Sequence, residues 1–372
     1  MASIYIHIPF CHSKCYYCGF HSVASLREKN GMLEALSKEI NLRKDYLKDE
    51  EIQSIYFGGG TPSIIAVSDL NKILDSVKSI HKIADDAEIT LEANPEDLSL
   101  EYLKDLKGIG INRISIGIQC LFDDILLFIN RRHSVEKALQ AIDMAKQVGI
   151  DNISIDLIYG IPGLDKKRWA ESLDKLTDLP ISHLSAYCLS IDENTVFEHR
   201  LRKGDFIPLS DEECEEQYDM LVDWAKKNGF FHYEISNFCK NNLYSHHNTA
   251  YWQQKPYLGI GPGAHSYDKE SRQWNFSNNK KYLEYINRGS IPMEIERLSE
   301  DDRFNEYIMT ALRTAWGIDK HYLSETFGVK HFNHVIEQAN KHAKHVKIDD
   351  TNISLTEEGL FLSNDIISDM FI

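Results

Sequence analysis

No stretch of this chain is long and apolar enough to cross a membrane; the nearest approach, Ile153 to Ile161, is short and interrupted by Asp156. Basic charge is scarce as well. Against 41 Lys and Arg stand 57 Asp and Glu, a formal net of −16, which argues against a nucleic-acid partner, whose phosphates need a basic face. With only 20 Gly and 9 Pro, no low-complexity tract and no short-period repeat, no long disordered linker is expected. Seven Cys in 372 residues is an odd number and a poor basis for a disulfide framework, and the first residues do not read as a secretory leader. A reducing, cytoplasmic setting is the expectation. The remaining composition is that of an ordinary globular protein, on a chain long enough for one large core and an appended domain.

Three of the seven Cys stand together. Cys11, Cys15 and Cys18 follow C-x3-C-x2-C spacing directly after Ser3-Ile-Tyr-Ile-His-Ile-Pro, whose β-branched and aromatic residues predict a short buried strand. A compact loop at a strand end therefore carries three thiolates. Three thiolates can hold three corners of a cubic 4Fe-4S cluster and leave the fourth iron open to a small chelating ligand. Zinc is the competing reading. It would need a fourth ligand such as His12 or His21, and the spacing is not a paired C-x2-C knuckle. Ferredoxin clusters use other spacings and a fourth Cys. The triplet resembles that of the radical S-adenosylmethionine (SAM) superfamily. There SAM chelates the open iron through its amino and carboxylate groups, and an electron from the cluster breaks a C–S bond to give a 5'-deoxyadenosyl radical.

Beyond the triplet, short apolar runs alternate with segments of helical period. Helices are predicted over Leu26–Leu47, Val67–Ile80, Leu100–Lys107, Val135–Val148, Lys167–Leu176 and Glu212–Lys227. Strands are predicted over Glu51–Phe57, Ala87–Ala93, Arg113–Gln119, Asn152–Leu157 and His183–Leu189. With the first strand these make six βα units, hence an α/β fold with a parallel sheet and right-handed crossovers. Without a Rossmann fingerprint, an incomplete parallel (β/α)6 barrel is expected over residues 1–230. The polar residues fall at strand ends. The triplet follows strand one, Gly58-Gly59-Gly60-Thr61-Pro62 follows strand two, Glu92 and Asn94 end strand three, Gln119 ends strand four, Asp156 lies late in strand five and Tyr187 in strand six. Glycines without Cβ let backbone amides approach a ligand, although a tight βα turn explains them equally. Glu92, before Asn94-Pro95, has a turn role as its alternative; Asp156, between Ile155 and Leu157, would be costly if buried unpaired. Six placements agree on the C-terminal face, where parallel barrels gather their catalytic groups.

The runs YIHIPFC, FGGGTP, LEANPE, ISIGIQ, the Arg131-Arg132-His133 stretch and IDLIYGIPG resemble, in order and spacing, the radical SAM branch that includes oxygen-independent coproporphyrinogen III oxidase and the HemW-type haem chaperones. The resemblance implies a 4Fe-4S cluster on Cys11, Cys15 and Cys18, with Tyr5 and Tyr17 beside the cluster and SAM. It implies that Gly59, Gly60 and Thr61 bind the SAM amino acid moiety, and that Glu92, Gln119, Arg131 and Asp156 contact SAM or shape its pocket. Arg131 suits this role chemically, because a guanidinium pairs bidentately with carboxylate.

Two functions share the branch: a catalytic oxidase that decarboxylates porphyrinogen propionates, an oxidoreductase of porphyrin biosynthesis, and a chaperone that binds haem and delivers it to acceptor proteins. Whether the chain is an enzyme is left open. Three features favour the chaperone: Phe20 stands where the oxidase pattern has a fourth Cys, only Met1 and Ala2 precede the first strand, and Ser245 to Trp252 contains H-N-x-x-Y-W, the haem signature of the HemW type. By that match His247 is the expected haem ligand, with His246 as adjacent competitor; imidazole ligates haem iron and aromatic rings cover a flat macrocycle. A packed loop with a hydrogen-bonded His is the alternative. An electron donor such as a flavodoxin or ferredoxin is a further implied partner. Residues 231–298 are expected to be a connecting segment holding this motif and the glycine-rich Tyr257–Ser266, which by resemblance closes the open side of the barrel near SAM. From Ser299 to Ile372 short helices over Asp301–Thr314, Lys320–Phe327 and Phe332–Val346, and a last helix capped at Thr356, resemble a winged-helix domain. From Glu300 onward it carries 7 Lys and Arg against 13 Asp and Glu, so a protein- or substrate-facing lid is expected rather than a DNA reader. Cys120, Cys188, Cys214 and Cys239 show no ligand spacing.

Overall fold

The computed structural model describes residues 1–372. Six parallel strands lie side by side in chain order: β1 (Ala2–Ile8), β2 (Ile52–Gly59), β3 (Ile83–Ala93), β4 (Arg113–Gln119), β5 (Asn152–Tyr159) and β6 (His183–Cys188). Helices α1 (Lys29–Leu42), α2 (Val67–Lys78), α3 (Leu100–Gly108), α4 (Asp123–Phe128), α5 (Val135–Gln147) and α6 (Lys166–Leu176) make the crossovers. The strands are buried on both faces but read differently on each. Ile4 pairs with Ile55, Ile55 with Ile89, and Ile114 with Ile153, so one face is a continuous aliphatic layer; the alternate positions carry Ser3, Ser54, Glu88, Arg113, Ser115, Ser154, His183 and Ser185, all buried. These polar groups pair with one another, as in Ser54 Oγ to Ser3 Oγ at 2.9 Å and Ser154 Oγ with His183 Nδ1 at 2.7 Å. That pairing offsets what isolated burial would cost. Helix ends are set by side chains: Ser99, Ser134 and Asp165 each accept a backbone N–H of the first turn of the helix they precede.

The chain continues with α7 (Val196–Lys203), α8 (Asp211–Lys227), β7 (Phe231–Glu234), β8 (Asn237–Cys239), α9 (His246–Trp252), β9 (Tyr257–Ile260), β10 (His265–Tyr267), β11 (Ser271–Asn275), α10 (Asn279–Asn287) and β12 (Met293–Arg297). Segment 231–298, expected as a connection, instead supplies half of the sheet. The strand order is β12-β11-β10-β9-β1-β2-β3-β4-β5-β6-β8-β7, with β9 parallel to β1 and β8 antiparallel to β6. These strands are three to five residues long, too short for period-2 alternation to stand out. Likewise α4 and α7 are single short helices inside stretches that read as loops. The long first helix is trimmed to Lys29–Leu42, after which residues 43–49 form turns, with Lys44 N on Asn41 O and Tyr46 N on Arg43 O.

The C-terminal residues have their own small core, with Phe304, Ile308, Leu312, Leu323, Val335, Ile353 and Ile367 buried together. It is built from α11 (Glu300–Leu312), β13 (Ile318–Asp319), α12 (Lys320–Lys341), β14 (Val346–Ile348), β15 (Asn352–Leu355), α13 (Glu357–Phe361) and α14 (Ser363–Asp369). The three strands form an antiparallel sheet ordered β13-β15-β14. α12 is broken at Gly328, whose φ of 80° and ψ of 172° divide it where two helices were expected. Thr356 accepts the Gly359 N–H and caps α13. Backbone bonds from Ile235 N to Arg313 O (3.0 Å) and Ala315 N to Tyr233 O (2.9 Å) tie this unit to β7.

Candidate functional site

The loop after β1 is held by its backbone rather than by packing of its own. Cys11 N donates to Val23 O (3.1 Å) and Val23 N to Pro9 O (3.0 Å), closing the loop on itself. Tyr16 N donates to Ile129 O, Phe197 N donates to Tyr16 O, and Asn130 Nδ2 donates to Lys14 O, so the residues after α4 and the start of α7 clamp it from outside. Cys11, Cys15 and Cys18 face a cleft of about 450 Å³ at the C-terminal ends of the strands. No three His, Cys, Asp or Glu side chains converge on a point that one metal ion could occupy. Three thiols carried by one loop and facing one cleft suit three corners of a cubic cluster, which takes each thiolate at a separate corner.

The glycines after β2 are explained by this loop. A Cβ on Gly60 would lie 2.5 Å from Phe10 O and 2.8 Å from Ile8 O. Without it, Gly60 N reaches Ile8 O (2.8 Å) and Thr61 N reaches Phe10 O (2.7 Å), so the glycine turn and the cysteine loop are stitched together. Gly59, at φ +106°, has its Cβ position filled by the His7 ring. The close approach that requires glycine is thus between two protein segments, with the ligand cleft beyond them.

Gly59, Gly60, Thr61, Glu92, Gln119, Arg131, Asp156 and Tyr17 line the same cleft as the three Cys. Hydrogen bonds link several of them. Arg131 donates to Asn94 Oδ1 (2.7 Å), Gly117 O (2.6 Å) and Cys15 Sγ (3.5 Å), and Asn94 Nδ2 donates to Thr61 Oγ1 (3.3 Å). Arg131 Nε is buried with no partner, an orphan donor that an anionic ligand would satisfy. Burial opposes its charge, but Tyr17 and Cys15 outweigh that and hold the guanidinium protonated. Glu92 accepts from Tyr56 Oη (2.8 Å) and Gly59 N (3.1 Å). Burial pushes its carboxyl up to about 7 against the pull of these donors, with Asp156 adding to the rise. Asp156 is raised by burial too, restrained by the Ser185 and Ser115 hydroxyls. Two carboxyls held above their usual range suit a ligand that brings its own positive charge. Gln119 sits at φ +68° on the irregular end of β4, a conformation costly for a non-glycine residue and concentrated at functional sites. Ser115 and Cys188 line the cleft, and Tyr56 holds Glu92 from behind it; none was read as a site residue from sequence, and the only signal, for Ser115 and Tyr56, was their inward register on strands whose other face is aliphatic.

Tyr5 lines a second cleft of about 540 Å³, which meets the first at Gly19 and Phe20. Its walls include Tyr251, Trp252, Tyr257 and Tyr267, with His21, His265 and Arg272. Tyr5 Oη contacts His7 Nδ1 at 3.1 Å and its ring stacks on Tyr56, so it forms part of the partition between the clefts. His247 lies in neither. It is buried inside the curled sheet, where its Nδ1 meets Ser54 Oγ (2.9 Å) and its Nε2 meets Tyr251 Oη (2.8 Å). The ring stacks on Tyr56 at 4.9 Å. Burial, then the Arg113 charge, lowers its pKa to about 3, so it is neutral and both nitrogens are already engaged. The expected haem ligand, His247, thus has both ring nitrogens engaged inside the protein. The hydrogen-bonded alternative is what the fold holds. His246, its neighbour, is exposed and lines neither cleft.

Comparison with known proteins agrees with the fold. The radical SAM superfamily model matches residues 5–176, and the HemN C-terminal domain model residues 298–362. A protein named heme chaperone HemW from Bacillus subtilis is 34% identical over 88% of this chain and 87% of its own length. Another of that name, from Lactococcus lactis, is 32% identical over 98% of this chain and 96% of its own. Among solved structures, the coproporphyrinogen III oxidase HemN from Escherichia coli superposes with a TM-score of 0.87 over all of this chain and 90% of its own, at 22% identity. That likeness carries the fold alone. Identity of about a third sustained along nearly the entire length carries more, and on that ground the chain belongs to the HemW family of radical SAM proteins.

Proposed function

We propose that this protein is a haem-binding chaperone on a radical SAM scaffold, which holds a 4Fe-4S cluster and SAM in one cleft, takes haem beside it and delivers it to acceptor proteins. The observation that carries the reading is the pair of adjoining clefts: one polar, with three thiols and two carboxyls, the other walled by aromatic rings large enough in volume for a cofactor-sized ligand. The family's relatives named heme chaperone support the assignment of haem as cargo. Cys11, Cys15 and Cys18 would hold the cluster, and Gly59, Gly60, Thr61, Glu92, Gln119, Arg131 and Asp156 would hold SAM. When bound, the cluster and SAM supply an electron and a reducible sulfonium. The chain's own contribution is positional: Arg131 pairs with a carboxylate, Glu92 accepts from an N–H of the amino group, and Phe20 stands where the oxidase pattern has a fourth thiol. An electron donor such as a flavodoxin or ferredoxin, and a cytoplasmic location, complete the proposal. No helix is long and apolar enough to cross a membrane.

Anaerobic incubation of the reconstituted protein with ferric haem, then with an apo-haem protein, tests the reading. The expected outcome is stoichiometric haem binding followed by transfer. Incubation with coproporphyrinogen and reductant is the counter-test, and decarboxylated product there would establish the oxidase instead.

A further inference from the structure

We infer that the iron of the bound macrocycle is ligated by His265, and that the motif residue His247 is a positioning residue that holds Tyr251 in the wall of the cleft. The inference rests on the haem-binding reading above and deepens it. An imidazole that serves as axial ligand must present a nitrogen lone pair to open space. Of the imidazoles near the aromatic cleft, His247 offers neither nitrogen, both being bonded in the buried interior. His7 has Nδ1 on Tyr5 Oη and Nε2 on His21 O. His21 spends Nε2 on Asn279 Oδ1 at 2.8 Å and keeps only Nδ1, the nitrogen crowded by its own Cβ. His265, on β10, is exposed, lines the cleft and makes no side-chain hydrogen bond. It rests beside the Trp274 ring, with centroids 6.0 Å apart, so its plane is supported from behind.

The cleft also suits the rest of the macrocycle. Tyr251, Trp252, Tyr257 and Tyr267 offer ring surface to a flat apolar ligand. Its two carboxylate side chains need cationic or N–H donors. Arg272 spends Nε on Glu306 and Nη1 on Tyr257 Oη (3.2 Å), and its Nη2 has no partner. Trp252 Nε1 and Gln254 Nε2, in the same wall, are donors without partners as well. A guanidinium with a free edge is the usual recognition element for carboxylate. His247 enters indirectly: its Nε2 fixes the Tyr251 hydroxyl, and Tyr251 packs edge-on against Tyr257 with centroids 4.5 Å apart.

The test titrates ferric haem into the anaerobically reconstituted full chain and reads the Soret band and the electron paramagnetic resonance of the iron, with iron and sulfide content as a check on the cluster. His265→Ala is expected to shift the Soret band and lose the wild-type coordination signal, and added imidazole to restore it. His265→Met, which keeps a ligand of different chemistry, is expected to bind with a changed signature. His247→Ala is expected to weaken binding while keeping the wild-type band position. An unchanged spectrum in His265→Ala, with the signal lost in either His21→Ala or His247→Ala, overturns the inference and moves the ligand to that residue. Absence of haem binding by the wild-type chain would instead remove the chaperone reading itself.

Discussion

At the residue scale the proposed cluster would rest on Cys11, Cys15 and Cys18. Cys15 also accepts from Arg131, so Cys15→Ala would remove a proposed corner ligand and leave a buried guanidinium with one partner fewer. Anaerobic reconstitution of that variant is expected to fall well short of the wild-type iron and sulfide content, measured chemically. Glu92 is the second case. Its carboxyl is pushed up to about 7 by burial, while a ligand that donates N–H groups and carries a sulfonium charge favours the ionised form. Affinity for SAM is therefore expected to rise with pH through about 7 and level off above it, by calorimetry. Glu92→Gln should cost about 1.5–3 kcal/mol of binding, the range for a hydrogen bond to a charged group, and should flatten that pH dependence. A pH profile unchanged in Glu92→Gln would reassign Glu92 to holding Tyr56 and Gly59.

At the element scale, two glycines separate packing from propensity. Gly60 has no room for a Cβ, whose nearest neighbours would be backbone carbonyls at 2.5 and 2.8 Å. Gly60→Ala is expected to destabilise by about 1–3 kcal/mol, the cost of overpacking, and to lower cluster retention because the Ile8 to Phe10 backbone must yield. Gly31, inside α1, has nothing within 4 Å of its Cβ position. Gly31→Ala should stabilise by up to about 1 kcal/mol through helix propensity and leave the cluster unaltered. Urea titration of both variants, with iron content alongside, makes the comparison. The elements that clamp the cluster loop, α4 and α7, were invisible to periodicity because each is short; their role appears only in the bonds they make to Lys14 and Tyr16.

At the scale of the whole molecule, charge and buried imidazoles set the response to solvent. His7 and His232 are lowered to about 4 and His247 to about 3 by burial, so the folded protein binds fewer protons than the unfolded chain below 6.5. Their contribution to stability is present above 6.5 and is lost as pH falls toward those values. Glu92 and Glu234, raised to about 7 by burial, act the other way: stability falls as pH rises from 4.5 to 7. Below 4.5 only the imidazoles act, and above 6.5 only the carboxyls. Thermal melts are expected to show the highest midpoint between 4.5 and 7, with steep loss on the acid side. The C-terminal unit has a helix-and-small-sheet form of the kind that often reads DNA, but the chain carries −16. Electrophoresis with duplex DNA at physiological salt is expected to show no shifted band.

By itself the sequence determined the six parallel strands and the face on which the polar residues gather; the thirteen expected site residues came from the family resemblance, and all but Tyr5 and His247 of them line the first cleft. These follow from local chemistry: β-branched runs, a helical period, and side chains placed at strand ends. The tertiary structure alone decided the other half of the sheet, the second cleft and the state of His247. Six short strands with no alternation of their own become strands because β9 and β8 pair with the open edges of β1 and β6 and the other four add outward onto them. His247 and His265 are the same residue type in polar and glycine-rich surroundings, and nothing local separates them. What separates them is which is enclosed by Ser54, Tyr56 and Tyr251 and which is left facing solvent, because a lone pair's availability depends on neighbours that are distant in sequence.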